Sequence, residues 1–196
     1  MNKWIFKMNI SNTKKIVLSE WVEESIDFDK VYETDAQKAQ LAIELSRLNI
    51  EKKSGGPFGA AIFDGEENKL LSVGVNTVAG QNCSINHAEI LAIIFAEEKI
   101  KSYRLDIAST QHVVLVSSSQ PCAMCFGAII WAGIKKLIYC SNREDVIHHT
   151  GFDEGPLPDN WIQEYQNRNI EVFSDVLRNE SIEVLKLYKT LNGLMY

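Results

Sequence analysis

Residues 111–133 read QHVVLVSSSQPCAMCFGAIIWAG, and the order of residue types in this stretch decides the fold. A β-branched apolar run is bounded by Pro121, after which the composition turns helical until Gly133. A strand therefore feeds a helix whose first turn carries Cys122 and Cys125. Downstream, KKLIYCS (135–141) reads as a further strand, and a polar loop then runs through GFDEGPLPDN (151–160). A short helix near 161–166, a strand at 170–173 and a last helix near 182–191 follow. Upstream, HAEILAIIFAEEKI (87–100) is a helix with Ser84 or Asn86 as candidate cap. Before it, FGAAIF (58–63) and LLSVGVNTV (70–78), separated by DGEEN, form a β-hairpin. A helix capped by Thr34 or Asp35 runs through Leu41, Leu45 and Leu48 and stops at Lys52, Lys53, Gly55 and Gly56. Alternation of this kind predicts an α/β fold, a mixed sheet with helices on its faces.

The 196 residues, 45% hydrophobic and 23% charged, suffice for one core. The expected organisation is one domain over 34–196 with an N-terminal extension of unclear role at 1–33. A formal net charge of -6 repels polyphosphate, so no nucleic-acid partner is expected. MNKWIFKMNISNTKK lacks the continuous apolar core of a signal peptide. The longest apolar stretch, 126–134, is too short for a bilayer of roughly 30 Å. No membrane partner is expected and a cytoplasmic location is. In a reducing compartment the four cysteines point to metal binding or catalysis rather than disulfides.

Cys122 and Cys125, three apart at a helix start, present both sulfurs on one face of its first turn. The free N–H groups and partial positive charge there favour the thiolates that a metal requires. His87 supplies a third ligand from the start of another helix. No second CxxC and no spaced His pair completes a closed tetrahedron, so a position is left for water and one zinc per chain is expected. Glu89, two residues after His87, is the candidate proton carrier. Residues i and i+2 point apart on an ideal helix, so spacing alone leaves its placement open. Singly, CxxC also reads as buried thiols or a redox pair, and HAE as helix surface. Cys83 and Cys140 read as small core residues. His148 and His149 read as part of a solvated polar loop rather than a second metal site.

In combination, His-x-Glu followed by Pro-Cys-x-x-Cys is the known signature of zinc nucleobase deaminases. The chain resembles the cytidine-deaminase-like superfamily, and more closely its bacterial guanine deaminases. The likeness runs from about Gly55 to the C-terminus, through GGPFGAAIF (55–63), the spacing from Asn76 to His87, HAEILAI (87–93), PCAMCFGAIIWAG (121–133) and GFDEGP (151–156). It implies a three-layer α/β/α sandwich on a central five-stranded mixed sheet, usually as a homodimer. It also implies hydrolysis of guanine to xanthine and ammonia, a small-molecule purine substrate, and Zn2+ on His87, Cys122 and Cys125. Glu89 is then the main proton shuttle and Glu154 assists. The family's Gly-Phe-Asp-acidic loop brings a carboxylate to the purine, and that position falls on Glu154.

Asn76 matches a family Asn that contacts the base, Phe58 an aromatic that packs on it, and His87 adds a stacking face. On composition alone Asn76 and Glu154 read as turn residues and Phe58 as a core aromatic. Gln120 departs from the Glu of many relatives, which removes a charge beside the ligand loop. Some relatives exchange C-terminal segments, so LNGLMY (191–196) either closes over a base pocket, in its own or a neighbouring subunit, or is a plain chain end. The rival readings are a guanosine or other nucleoside deaminase, a cytosine or aminotriazine deaminase, a tRNA adenosine deaminase, and a non-catalytic zinc-stabilised module.

Overall fold

A computed structural model describes residues 16–107 and 112–195. The elements run α1 (Glu20–Ser25), α2 (Asp35–Glu51), β1 (Gly59–Asp64), β2 (Leu70–Val75), α3 (Val78–Gln81), α4 (Ala88–Ile100), β3 (Val113–Ser119), α5 (Ala123–Ala132), β4 (Lys136–Ser141), α6 (Arg143–Thr150), α7 (Trp161–Gln166), β5 (Glu171–Phe173) and α8 (Arg178–Thr190). The five strands form one mixed sheet in the order β2-β1-β3-β4-β5. β1 pairs antiparallel with β2 and β3, while β3, β4 and β5 run parallel.

The sheet is covered on both faces, which is why its inner strands read as continuous apolar runs. Side chains alternate across it with period two. Ala61, Phe63, Val114, Val116, Ile138 and Cys140 face one core with α2, α6 and α8. Ala60, Ile62, Val113, Leu115, Leu137 and Tyr139 face the other with α4, α5 and α7. The result is the expected three-layer α/β/α sandwich. Trp21, Val22, Ile26 and Tyr32, from the 1–33 segment, are buried in the first core; residues 1–15 lie outside the described chain.

Thr34 caps α2 as expected: its Oγ1 accepts from Gln37 N at 3.2 Å, and Gln37 Oε1 accepts from Thr34 N at 3.1 Å. Such a box contributes about 1 kcal/mol. Gly74 explains how close α4 comes to β2, because a Cβ there would lie 2.1 Å from the Ala88 carbonyl oxygen and 2.5 Å from Ala92 N. Only glycine lets the first turn of α4 settle against the sheet.

Several local expectations are corrected. The cap of α4 is His87 itself, extended at φ -75 and ψ 156, not Ser84 or Asn86. The hairpin's second strand ends at Val75, because the chain turns at once into α3. α8 begins at Arg178, four residues before the predicted start. His148 and His149 lie in the last turn of α6, not in a loop. That helix leaves little mark on the sequence because it is short and buries only Val146 and Asp145, and its start is set by the Asn142–Asp145 capping box rather than by apolar periodicity. Cys140 is buried as expected, whereas Cys83 is only partly so. Among the described residues no helix is long and apolar enough to cross a membrane.

Candidate active site

Two helix starts meet at the carboxyl end of β3. His87 caps α4 and Cys122 caps α5, with Cys125 in the first turn of α5. His87 Nδ1 lies 3.5 Å from Cys122 Sγ. Among the described residues these three form the only cluster of potential metal ligands, with ligand atoms all within 4.8 Å of one another. One nitrogen and two sulfurs fit zinc, and three ligands leave a fourth position open. The Cys122 thiol is brought down to about 4, first by its hydrogen bond with Cys125 and, against the cost of burial, by that with His87. Cys125, the partner that keeps the proton, is pushed up. The direction favours the thiolate form that a metal demands at Cys122.

The placement of Glu89, which spacing left open, follows from the cap. His87 lies outside the helix with an extended backbone, so the helical rule that separates i from i+2 does not apply to the pair. Glu89 Oε2 lies 3.4 Å from Cys125 Sγ, and its Oε1 accepts from Ser117 Oγ at 3.1 Å. The carboxyl is 6% exposed. Burial first, and the negative charge of Cys122 second, raise its pKa above the ordinary carboxylate range. A carboxyl so tuned is suited to taking up and returning a proton near neutrality.

Glu154 is held at the same end of the sheet. Its carbonyl accepts from Ala123 N, the residue after Cys122, at 3.0 Å. Gly155 N donates to Asp153 Oδ1 at 2.9 Å, which sets the turn. The Glu154 carboxyl is half-buried and pushed up to about 8, mainly by desolvation and then by the charges of Cys122 and Glu89. Gln120 accepts from Arg143 N at 3.2 Å through its Oε1, so a neutral amide braces the start of α6.

Asn76 is 1% exposed. Its N donates to the Phe58 carbonyl at 3.1 Å and its Oδ1 accepts from Val78 N at 3.3 Å. Its Nδ2, buried, has no hydrogen-bond partner among the described residues. A buried orphan donor is costly, and a ligand acceptor would satisfy it. Asn49, missed in the sequence, braces this corner by donating from Nδ2 to the Gly56 and Asn76 carbonyls, both at 2.8 Å. Gly55 is required there, since a Cβ would meet Asn76 O at 1.8 Å. Phe58 is half-buried between the two cores and packs on Phe152 at 5.6 Å. Phe152 stacks in turn on Tyr188, whose hydroxyl donates to the Leu194 carbonyl. The C-terminal segment therefore folds back towards the 151–155 loop of its own chain; Tyr196 lies outside the described residues.

Elemental analysis is expected to return one zinc per chain, and Cys122→Ala to lose it. A metal held only by the folded state at a thousandfold excess over its Kd stabilises by about 4 kcal/mol. For a chain of this size that corresponds to a Tm lower by about 10 °C. A Cys122→Ala protein with full zinc and unchanged Tm would remove Cys122 from the ligand set.

A family model described as the cytidine and deoxycytidylate deaminase zinc-binding region matches residues 32–141. The guanine deaminase of Bacillus subtilis is 34% identical over 113 residues, 58% of this chain and 67% of its own length. A tRNA-specific adenosine deaminase of Buchnera aphidicola is 33% identical over 135 residues, 69% of this chain and 81% of its own. Among solved structures, NE0047 in complex with 2,6-diaminopurine superposes with a TM-score of 0.88 at 35% identity, covering 94% of this chain and 96% of that one. A guanine deaminase from Nitrosomonas europaea superposes with a TM-score of 0.85 at 34% identity, covering 93% and 98%. With the family match spanning more than half of the chain and its ligands meeting in one cluster, the chain belongs to the cytidine and deoxycytidylate deaminase family of zinc enzymes.

Proposed function

We propose that this chain hydrolyses guanine to xanthine and ammonia. The observation that carries the proposal is the Glu154 carboxylate, held beside the zinc ligands by its carbonyl bond to Ala123. Guanine presents adjacent ring N–H and amino donors, and one carboxylate accepts from both. The orphan Nδ2 of Asn76 suits an acceptor on the base, and Phe58 offers an apolar face to the ring. Zinc, when bound, supplies a Lewis acid that acidifies water towards neutrality. Glu89 takes one proton from the attacking water and gives it to a ring nitrogen, then carries the remaining hydroxyl proton to the amine, which leaves as ammonia when its bond to C2 breaks. The guanine deaminases among the relatives, and a related structure holding 2,6-diaminopurine, support a purine base as substrate.

The relatives that act on tRNA favour a second reading, against which the net charge of -6 counts. The purified zinc protein should release ammonia from guanine faster than from guanosine, adenine, cytosine or an adenosine-bearing tRNA anticodon stem. Faster release from any of these would overturn the guanine assignment and leave the zinc deaminase intact.

Residues 34–196 form the catalytic domain in this proposal, and the chain works in the cytoplasm, where free thiols persist as metal ligands. It does so as a homodimer. α5 contains no charged side chain, and Trp131 on its outer side is 81% exposed, a large apolar group of the kind that marks an interface with a second copy. Light scattering should give twice the chain mass for the native protein and a smaller species for Trp131→Glu. A native monomer at micromolar concentration would rule the dimer out.

A further inference from the structure

Glu89 has two oxygens, and the protein treats them differently. Oε1 accepts from the Ser117 hydroxyl at 3.1 Å; Oε2 accepts from the Cys125 thiol at 3.4 Å. The second contact depends on the thiol proton. A cysteine that ligates zinc does so as thiolate, which has no proton to donate. Cys125 is one of the three candidate metal ligands, so Ser117 is the one side-chain donor to Glu89, among the described residues, that lies outside the ligand set.

Ser117 is well placed to act alone. It sits on the central strand β3, between Ala60 of β1 and Tyr139 of β4, and is 2% exposed. It continues the row of Val113 and Leu115, which faces the α4–α5 layer. Ser119 N approaches the same Oγ at 3.5 Å, so that oxygen is occupied as an acceptor and its proton is left for Glu89. A buried hydroxyl costs desolvation unless it finds a partner, and packing alone would be served as well by another valine in the run VVLV. Without the Ser117 bond the carboxylate would be freer to rotate, because the terminal torsion of glutamate is broad.

We infer that Ser117 is the positioning residue of the deaminase: its hydroxyl pins Oε1 of Glu89 so that Oε2 stays turned towards the metal ligands and handles the proton. The inference rests on Glu89 as the proton carrier of the proposed reaction and adds the residue that aims it. Ser117 is outside the metal-ligand cluster, and its hydroxyl bonds to Glu89 and Ser119, so zinc binding is left to other side chains.

The test compares Ser117→Thr, which keeps the hydroxyl, with Ser117→Val, which has the same shape without it, and with Ser117→Ala. All are assayed as the zinc-loaded full chain on whichever base the native protein deaminates fastest. Removal of an orienting partner of this kind costs about 10- to 100-fold in activity. Ser117→Ala and Ser117→Val should therefore lose kcat by about that factor, with KM within twofold and zinc content unchanged, while Ser117→Thr recovers most of it. In the zinc-free protein, carbon NMR of the labelled Glu89 carboxyl should shift in the Val variant and stay near native in the Thr variant. Equal losses in the Thr and Val variants, a rise in KM without a fall in kcat, or loss of zinc that Thr does not restore would assign Ser117 to packing and overturn the inference. Full activity in Ser117→Val with an inactive Glu89→Ala would do so too, leaving the deaminase assignment standing.

Discussion

Replacing Glu89 by alanine is expected to leave the zinc bound and the chain folded while nearly all turnover disappears. The carboxyl is not one of the three ligands that cluster for the metal, so its removal does not empty the site. It is buried at 6% exposure with a pKa raised by desolvation, and such a group costs folding free energy rather than contributing it. The Tm should therefore match or exceed the native value, the usual trade between stability and activity at a functional site. Acid–base assistance alone is worth roughly 10²–10⁴-fold. A deficit beyond that range would mean that Glu89 also places the attacking water, which its position against Cys125 permits. The measurement is steady-state ammonia release alongside zinc analysis and thermal melting. A Glu89→Ala protein that keeps most of its kcat sinks the assignment.

Glu154→Gln is expected to lose guanine turnover with little change in zinc or Tm. The amide keeps the size of the carboxylate but turns one acceptor into a donor, facing a base edge that itself donates. An unpaired buried polar group costs about 1–3 kcal/mol, so kcat/KM for guanine should fall about 10- to 100-fold. Adenine offers an unprotonated ring nitrogen at that edge, so the native preference for guanine over adenine should shrink in the variant. The native enzyme carries a pH signature of the same group. Guanine needs the ionised carboxylate, whose pKa burial has pushed up to about 8, with the charges of Cys122 and Glu89 adding to it. kcat/KM should therefore decline as pH falls through that pKa, and a cation bound by Cys122 moves the decline to lower pH by offsetting that charge. Normal guanine turnover in Glu154→Gln would refute the role of Glu154 and leave the zinc chemistry untouched.

The zinc ligands are legible in the sequence because each belongs to a local signal. Cys122 and Cys125 share one helical turn after a strand, and His87 opens the other helix. The alternation of apolar runs likewise marks all five strands. The features that leave no such mark are set by contacts between distant segments or belong to short elements with little apolar pattern. α6 buries one apolar residue and takes its start from a polar capping box. Asn49, from α2, braces Asn76 across 27 residues of sequence.

The sequence by itself determined the layered α/β class, the three metal ligands and the identity of the carboxylate that accompanies them, because helix caps, strand periodicity and ligand spacing act over a few residues. Only the tertiary structure decided how that carboxylate is aimed. His87 lies outside its helix, which places Glu89 beside Cys125 despite a spacing that an ideal helix would splay apart. Ser117 and Glu154 reach the site from other segments, through a bond to Glu89 across 28 residues and a carbonyl bond to Ala123. Such approaches depend on how whole layers pack, on a Gly74 that lets α4 touch the sheet and on which strand face a serine occupies. Side-chain packing of that kind is a property of the assembled core and leaves no periodic trace in the chain.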